Sequence, residues 1–206
     1  MKRISLIAIM ALMGIGSVAA KSSTTLPIVG EVVKATNPLI QYVGRVSFAK
    51  NETASFNFPG TSIFARFQGS SLKMICRPMT GYFMAQVDGC EPFKVGFNAE
   101  RDSVVTVAAA LPKGEHQVKL MYVIEGLFRT PEFRGFVLDK GCSLVKSPDL
   151  PERKIEFIGN SITCGYGVES IEMTDPFEDE TENHWLTYAN ICLLYTSPSP
   201  RDRSLS

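Results

Sequence analysis

The chain has 206 residues, with 21 basic and 21 acidic side chains, two histidines and five cysteines. This balanced charge argues against a nucleic-acid partner, because a surface that binds phosphates needs a clear excess of Lys and Arg. The histidines lie far apart and there is no Cys-x-x-Cys pair, so we expect no zinc site of the usual spacing, no other metal and no cofactor. Thirteen Phe and six Tyr can fill a sizeable core, which argues against disorder.

Residues 1–20 have the pattern of a secretory signal peptide. Lys2 and Arg3 precede an apolar run from Ile4 to Ile15, and small residues follow at 17–20. The apolar run is shorter than the ~20 residues that cross a bilayer, so a permanent membrane anchor is the weaker alternative. The first cysteine is Cys76, so nothing indicates a lipoprotein. We predict a secreted or periplasmic protein with no membrane contact after cleavage.

Residues 41–139 form short runs of alternating apolar and polar side chains that are separated by turn residues, a pattern typical of all-β domains. In residues 117–123, Val118, Leu120 and Tyr122 fall on one face and Lys119 on the other. Similar runs occupy residues 55–58, 62–68, 72–76, 82–87, 104–107 and 133–138. We predict about eight strands in a β-sandwich or jelly roll, with this domain spanning residues 21–148.

The composition changes at residues 147–153, where two prolines and flanking charges indicate a linker. We predict a strand at residues 154–158, followed by a turn that carries Ser161 with Gly159 two residues before it. A strand followed by such a turn is typical of the first βα unit of an α/β domain, where ligands bind beyond the carboxyl end of the strand. If residues 160–163 begin a helix, their free amides face any negative charge that develops beside the Ser161 hydroxyl. A capped helix start without catalysis is the alternative.

The serine turn carries a family resemblance. Residues 153–167 (RKIEFIGNSITCGYG) resemble the first block of the SGNH (GDSL-like) esterases, in the version found in carbohydrate esterase family two. Shorter matches to the same family are at residues 44–46, 58–63, 114–116, 133–136, 174–177 and 181–183. The resemblance extends from about Gln41 to Ile191. It implies an amino-terminal jelly roll followed by the start of a flavodoxin-like SGNH hydrolase domain at residues 151–191.

The resemblance also implies an activity. It is that of a secreted esterase that removes acetyl groups from plant-wall polysaccharides such as xylan or glucomannan. Ser161 is expected to be the nucleophile that forms an acyl-enzyme, and its backbone N–H to donate to the oxyanion. The other oxyanion donors of the family, a Gly and an Asn, and its histidine base come from later blocks that this chain does not contain. We therefore expect the chain to be inactive alone.

Two other functions remain open. The β domain could be a non-catalytic module that binds carbohydrate or another partner. A lipase-like SGNH enzyme is a third alternative, and the acidic residues between Glu169 and Glu182 argue against it because they disfavour an apolar cleft near Ser161. The sequence does not determine which polysaccharide is preferred, the oligomeric state, or whether Cys76, Cys90, Cys142 and Cys164 form disulfides.

Other candidate residues have simpler interpretations. Asn160 stands where the wider superfamily has Asp, and its amide oxygen can accept the same hydrogen bonds. We interpret His184 as a surface residue in a first helical turn and His116 as a turn residue before a strand. Trp185 either lines a sugar-binding cleft or packs in the core. The acidic run is expected to be a solvated loop rather than a calcium site; it comprises Glu169, Glu172, Asp175, Glu178, Asp179, Glu180 and Glu182.

Residues 192–206 do not fit the pattern before them. The stretch 192–202 (CLLYTSPSPRD) resembles a translated transposase sequencing adapter, residue by residue. We therefore interpret residues 192–206 as an artefact of library preparation, and the gene as continuing beyond Ile191. A genuine Ser/Pro-rich linker is the alternative.

Overall fold

Two antiparallel β-sheets make up most of the structure, a computed structural model that describes residues 28–49, 52–126 and 129–196, the last four of these by their backbone alone. The predicted signal peptide and residues 197–206 lie outside the described residues. The strands are β1 Glu31–Lys34, β2 Gln41–Val43, β3 Ala54–Ser55, β4 Ser62–Gly69, β5 Leu72–Cys76, β6 Gly81–Val87, β7 Phe93–Phe97, β8 Val104–Ala108, β9 Gly114–Tyr122, β10 Glu132–Leu138 and β11 Leu144–Val145. Two α-helices follow, α1 Ser161–Cys164 and α2 Tyr188–Thr196, with 3-10 turns at Asp179–Thr181 and His184–Leu186 between them.

The strand order is that of a jelly roll. One sheet has the order β1-β10-β5-β8, with β3 also paired to β10. The other has the order β11-β4-β9-β6-β7, with β2 also paired to β4. From β4 to β10 the chain crosses between the sheets at every connection except the β6–β7 hairpin, and each pairing is antiparallel. The predicted jelly roll is confirmed.

The alternation of side chains along β4 shows how the core is built. Ile63, Ala65 and Phe67 point inward and are buried, while the side chains between them are more exposed. Across the ladder Phe67 lies opposite His116 of β9. Both sheets contribute aromatic side chains that are fully buried: Phe67, Phe83, Phe97, Tyr122, Phe133 and Phe136. Several of these rings meet edge to face, the arrangement that their quadrupoles favour.

A four-bond contact holds the β4–β5 turn to the end of β10. The carboxylate of Asp139 accepts hydrogen bonds from the backbone N–H of Ser70 at 2.7 Å and of Ser71 at 3.0 Å, and from both serine hydroxyls. These bonds lower the pKa of Asp139 to about 2, the Ser71 hydroxyl having the largest effect. Asp139 therefore ties the end of β10 to the turn by which the chain passes from β4 in one sheet to β5 in the other.

Two sequence interpretations in this part need correction. His116 lies inside β9 and is buried, because the strand begins at Gly114, before the predicted start. Its Nδ1 is 2.6 Å from Asp88 Oδ2 and its Nε2 is 2.8 Å from the Pro112 carbonyl oxygen, and the bond to Asp88 raises its pKa most. Residues 154–158 form no strand, and Ile158 is 90% exposed. A strand needs a neighbour to take its backbone hydrogen bonds, and no described strand pairs with this segment.

Candidate active site

Ser161 is the first residue of α1, on an exposed turn. Asn160 precedes the helix in an extended conformation and caps it, because its Oδ1 accepts the Ile162 N–H at 3.1 Å. The expectation that Asn can accept this hydrogen bond in place of Asp is confirmed. The Ser161 carbonyl oxygen accepts the N–H groups of Gly165 at 3.0 Å and Tyr166 at 3.1 Å, which ends the helix after one turn.

The polar groups of Ser161 itself are available. Within the described residues, neither its hydroxyl nor its backbone N–H has a hydrogen-bond partner. The Ile162 N–H, by contrast, is occupied by Asn160. The arrangement therefore presents a hydroxyl and one free amide together at the surface, whereas the sequence predicts several free amides.

The turn is positioned by close packing beneath it. A Cβ atom on Gly159 would lie 1.9 Å from Thr163 Oγ1, so only glycine fits at this position. Thr163 is buried, and its hydroxyl is 2.9 Å from the Tyr188 hydroxyl at the start of α2. The Tyr188 ring meets Phe157 edge to face at 6.2 Å between centroids. These contacts fix the chain on both sides of Ser161.

His184 is part of the joint between the turn and the jelly roll. Its Nδ1 lies 2.8 Å from the Thr163 carbonyl oxygen and so carries the hydrogen of that bond. Its ring packs on Gly60, where an added Cβ would lie 3.0 Å from Nε2. Its backbone N–H donates to the Val123 carbonyl at 2.9 Å, and burial lowers the pKa of its imidazole. The interpretation of His184 as a surface residue is therefore wrong. No described hydrogen bond joins it to Ser161.

The acidic run docks on the jelly roll, so the expectation of a solvated loop is also wrong for several of its members. Lys94 of β7 forms an ion pair with Glu169 and donates to the carbonyl oxygens of Glu180 at 2.5 Å and Glu182 at 3.0 Å. Arg129 pairs with Asp179 through two nitrogens, with Nε at 2.7 Å from Oδ2. The acidic run contains no Lys or Arg, and its positive partners, Lys94 and Arg129, come from distant parts of the chain.

Glu182 lies at the centre of this docking contact and is 1% exposed. Its Oε1 accepts the Glu125 N–H at 3.0 Å. Burial raises its pKa to about 7, and the Glu125 and Asp179 carboxylates act in the same direction. Burial also raises the pKa of Cys164 to about 12, together with its hydrogen bond to Glu125. A carboxylate oxygen of Glu125, the Sγ of Cys164 and a carboxylate oxygen of Glu182 lie within 4.8 Å of one another.

Trp185 packs into the core of the sandwich at 8% exposure. The Lys119 ammonium lies 4.5 Å from the centre of the ring, and burial lowers the pKa of Lys119. Both the burial and the covering lysine favour core packing over the alternative of sugar stacking. Cys76, Cys90, Cys142 and Cys164 are free thiols in the structure.

Sequence reasoning missed Lys94, Arg129 and the role of Glu182. Lys94 lies on a short edge strand and Arg129 on a loop, and neither carries a local motif. One local signal was present: Asn183 precedes the 3-10 turn and its Oδ1 accepts the Trp185 N–H at 3.0 Å, and Asn is a preferred residue at such a capping position. In the described part of the chain, no helix is long and apolar enough to cross a bilayer.

The fold and site together define a jelly-roll domain with a serine-bearing turn docked against it. Residues 42–148, just over half of the chain, match the family described as Carbohydrate esterase 2 N-terminal. The chain therefore belongs to carbohydrate esterase family two, and the resemblance stated from its motifs is confirmed.

Individual relatives agree. The chain is 33% identical over 158 residues to the cellulase/esterase CelE of Acetivibrio thermocellus, covering 75% of this chain and 19% of that protein. It is 26% identical over 145 residues to an acetylxylan esterase / glucomannan deacetylase of Cellvibrio japonicus, covering 69% and 40%. A solved family two carbohydrate esterase from Clostridium thermocellum, in complex with cellohexaose, matches with a TM-score of 0.67 and 31% identity over 76% of this chain and 48% of that one. The chain thus spans less than half the length of each.

Proposed function

We propose that the chain is the amino-terminal part of a secreted serine esterase that removes acetyl groups from plant-wall polysaccharides such as xylan or glucomannan. The observation that carries the proposal is Ser161, an exposed residue whose hydroxyl and backbone N–H have no hydrogen-bond partner in the described residues of a family two chain. The names of the relatives support the substrate class, since one is an acetylxylan esterase / glucomannan deacetylase.

In the proposed reaction, the Ser161 oxygen attacks the carbonyl carbon of an acetyl group while a general base takes the hydroxyl proton. The carbonyl oxygen becomes an oxyanion that accepts a hydrogen bond from the Ser161 N–H. The sugar oxygen then leaves with a proton, and an acetyl-serine remains. Water attacks this ester, which releases acetate and restores the serine.

The general base must come from elsewhere than His184. A base has to reach the hydroxyl that it serves, and the Nδ1 hydrogen of His184 is committed to Thr163 while the ring packs on Gly60. The resemblance places the histidine of the family, and its further oxyanion donors, in blocks after Ile191. The chain alone is therefore proposed to be inactive.

We extend the proposal to the domain organisation. Residues 1–20 would be a signal peptide, 21–148 the jelly roll, 151–191 the start of an SGNH domain and 192–206 an adapter-derived artefact. Large apolar side chains after the linker are exposed, which supports a segment that packs against further protein: Ile155 at 53%, Ile158 at 90%, Ile171 at 92% and Met173 at 100%.

Substitution of the nucleophile tests the proposal. In a protein extended through the coding sequence that follows codon 191, Ser161→Ala should lower acetate release from acetylated xylan at least about a thousandfold, because no other group can form the acyl-enzyme. Ser170→Ala, on the loop that follows the serine turn, is the matched control and should leave the rate unchanged. For the 206-residue chain alone, hydrolysis of p-nitrophenyl acetate should not depend on Ser161. Acetate release that survives Ser161→Ala in the extended protein would refute the assignment.

A further inference from the structure

A concave site separate from the serine turn lies on the jelly roll, at the end of β5 and beside the docked acidic run. Its volume is about 640 Å³, which is within the range of small-molecule sites. Arg77, Arg129 and Arg134 line it together with Glu100 and Asp179, and Pro78 and Met79 supply an apolar wall. Three guanidinium groups and two carboxylates therefore line the site, and a third carboxylate, that of Glu132, lies within 4 Å of two of the guanidinium groups. No part of the proposed acetyl transfer uses these residues.

Arg77 and Arg134 are only loosely paired. Both face the carboxylate of Glu132, at 3.9 Å from Arg77 Nη1 and 3.5 Å from Arg134 Nη2. These distances exceed the usual 2.7–3.2 Å of an N–H···O bond. The two side chains are 46% and 44% exposed. Among the described residues, neither guanidinium donates a hydrogen bond. Both groups therefore retain N–H donors that an anionic ligand can use.

Arg129 has a different task in the same pocket. It donates to Asp179 through two nitrogens and to the Met79 carbonyl oxygen at 3.1 Å through Nη1. These bonds neutralise Asp179 and hold the wall that carries Met79, whose φ of 61° is in the left-handed region. Glu100 forms no ion pair with a described residue. Counted with Glu132, the site has three guanidinium groups and three carboxylates, so the unused donors of Arg77 and Arg134, rather than an excess of positive charge, favour a carboxylate ligand.

We propose that this pocket binds the carboxylate of an acidic sugar, a uronic acid residue carried by a polysaccharide. A guanidinium presents two parallel N–H donors that match a carboxylate, and two such groups side by side can hold one carboxylate between them. The C–H face of a pyranose can lie against Pro78 and Met79, and the Glu100 carboxylate can accept from a sugar hydroxyl. The choice of a sugar over other carboxylates rests on the proposed function, since that function places the protein on plant-wall polysaccharides.

The site is tested by NMR titration of the 206-residue chain with D-glucuronate at low ionic strength. Shifts of the backbone amides of Arg77, Met79 and Arg134 should saturate with D-glucuronate, while D-glucose, which lacks the carboxylate, should leave them in place. Arg77→Gln and Arg134→Gln should each weaken binding about tenfold or more, because each removes charge-assisted hydrogen bonds. Arg66→Gln is the matched control, since Arg66 is similarly exposed but pairs with Glu115 on the other sheet.

Two further measurements keep the outcomes distinct. Arg77→Lys keeps the charge but loses the paired donors, so binding should fall between that of the original chain and Arg77→Gln. Arg77 lies in a turn and is half exposed, so this pair of variants remains informative if Arg134→Gln disturbs β10. Equal D-glucuronate binding in Arg77→Gln and the original chain would overturn the proposal. So would sulfate binding as tight as that of D-glucuronate, because the pocket would then be a general anion site.

The titration involves no turnover, so its result is separate from that of the esterase proposal. If the extended protein releases no acetate but D-glucuronate still binds, the esterase proposal is wrong and the proposed binding site is supported. If acetate release depends on Ser161 but D-glucuronate does not bind, the binding site is wrong and the esterase proposal is supported.

Discussion

Glu182 shows how the fold changes the chemistry of a single side chain. Its carboxyl group faces the Glu125 and Asp179 carboxylates, the Cys164 thiol and the ammonium of Lys94, and it is removed from water. Burial and the two neighbouring carboxylates favour the neutral acid over the carboxylate. The pKa in the folded protein is therefore about 7, against an ordinary value of 4.5.

The raised pKa of Glu182 makes stability depend on pH. The folded chain holds the proton to a higher pH than the unfolded chain, so the contribution is complete below pH 4.5 and is lost as the pH rises through about 7. We expect Glu182→Gln, which stays neutral, to raise the free energy of unfolding at pH 8 by about 1–3 kcal/mol relative to the original chain, and to change it little at pH 4.5. Denaturant unfolding at the two pH values measures this difference.

The matched control is Glu178→Gln. Glu178 belongs to the same acidic run but is exposed, so its substitution should have the same small effect at both pH values. If the free energy of unfolding of Glu182→Gln differs from that of the original chain by the same amount at pH 4.5 and at pH 8, the buried carboxyl group is not the source of the pH dependence.

Some residue roles could be predicted and others could not. The serine turn follows from local rules, since Gly159 and the capping side chain of Asn160 act within four residues of Ser161. The roles of His184 and Glu182 depend on Gly60, Val123 and Glu125, which lie 57 or more positions away in the sequence. No periodicity or motif encodes such contacts. A histidine that follows three polar residues therefore resembles a surface group until its partners are known.

At the scale of elements, the acidic run and the 3-10 turn that follows it form one docked segment, residues 169–187. Lys94 holds this segment at three acceptors, Arg129 at one, and Trp185 inserts its ring into the core. The segment is therefore held by the ion pairs of Lys94 and Arg129 and by the buried ring of Trp185. The segment is also hydrogen-bonded to the serine turn. His184 donates to the Thr163 carbonyl oxygen, and the Asn183 N–H donates to the Gly165 carbonyl oxygen.

Lys94 is expected to be the most sensitive point of this docked segment. Lys94→Met would leave the carbonyl oxygens of Glu180 and Glu182 without their donor, which should cost about 1–3 kcal/mol of unfolding free energy. Trp185 is the single tryptophan of the chain, so its fluorescence reports the docking directly. Quenching by acrylamide should increase in Lys94→Met. In the control Lys146→Met, at an exposed lysine that touches none of this segment, quenching should remain that of the original chain. Unchanged quenching in both variants would contradict this role for Lys94.

The sequence predicts long strands better than short ones. The strands β4, β5, β6, β8, β9 and β10 have five or more residues, and their patterns give their positions to within a few residues. The exception is β7, which is as long as β5 and β8 but was not predicted. The strands β1, β2, β3 and β11 have two to four residues and lie at the margins of the sheets, so alternation is too brief to detect. The predicted strand at 154–158 has the apolar composition of a buried strand, but composition cannot supply the neighbours that a strand requires.

At the scale of the whole molecule, the chain combines a closed jelly-roll core with a segment that exposes apolar side chains. The jelly roll satisfies its own backbone through the two sheets. The segment from residue 151 onward is held to it by Arg45–Glu156, by Lys94 and by Arg129, yet presents Ile158, Ile171 and Met173 to solvent. Such a surface is typical of a protein interface, and in the proposed enzyme it is covered by the rest of the SGNH domain.

Covalent labelling tests most directly whether Ser161 is the nucleophile. The protein extended beyond codon 191 is treated with a fluorophosphonate, which reacts with activated serine hydroxyls, and the labelled peptide is identified by mass spectrometry. We expect one adduct per chain, on Ser161, with no adduct in Ser161→Ala and none in the 206-residue chain, for which we propose that no base reaches the hydroxyl. An adduct on another serine of the extended protein, or labelling that persists in Ser161→Ala, would contradict this assignment.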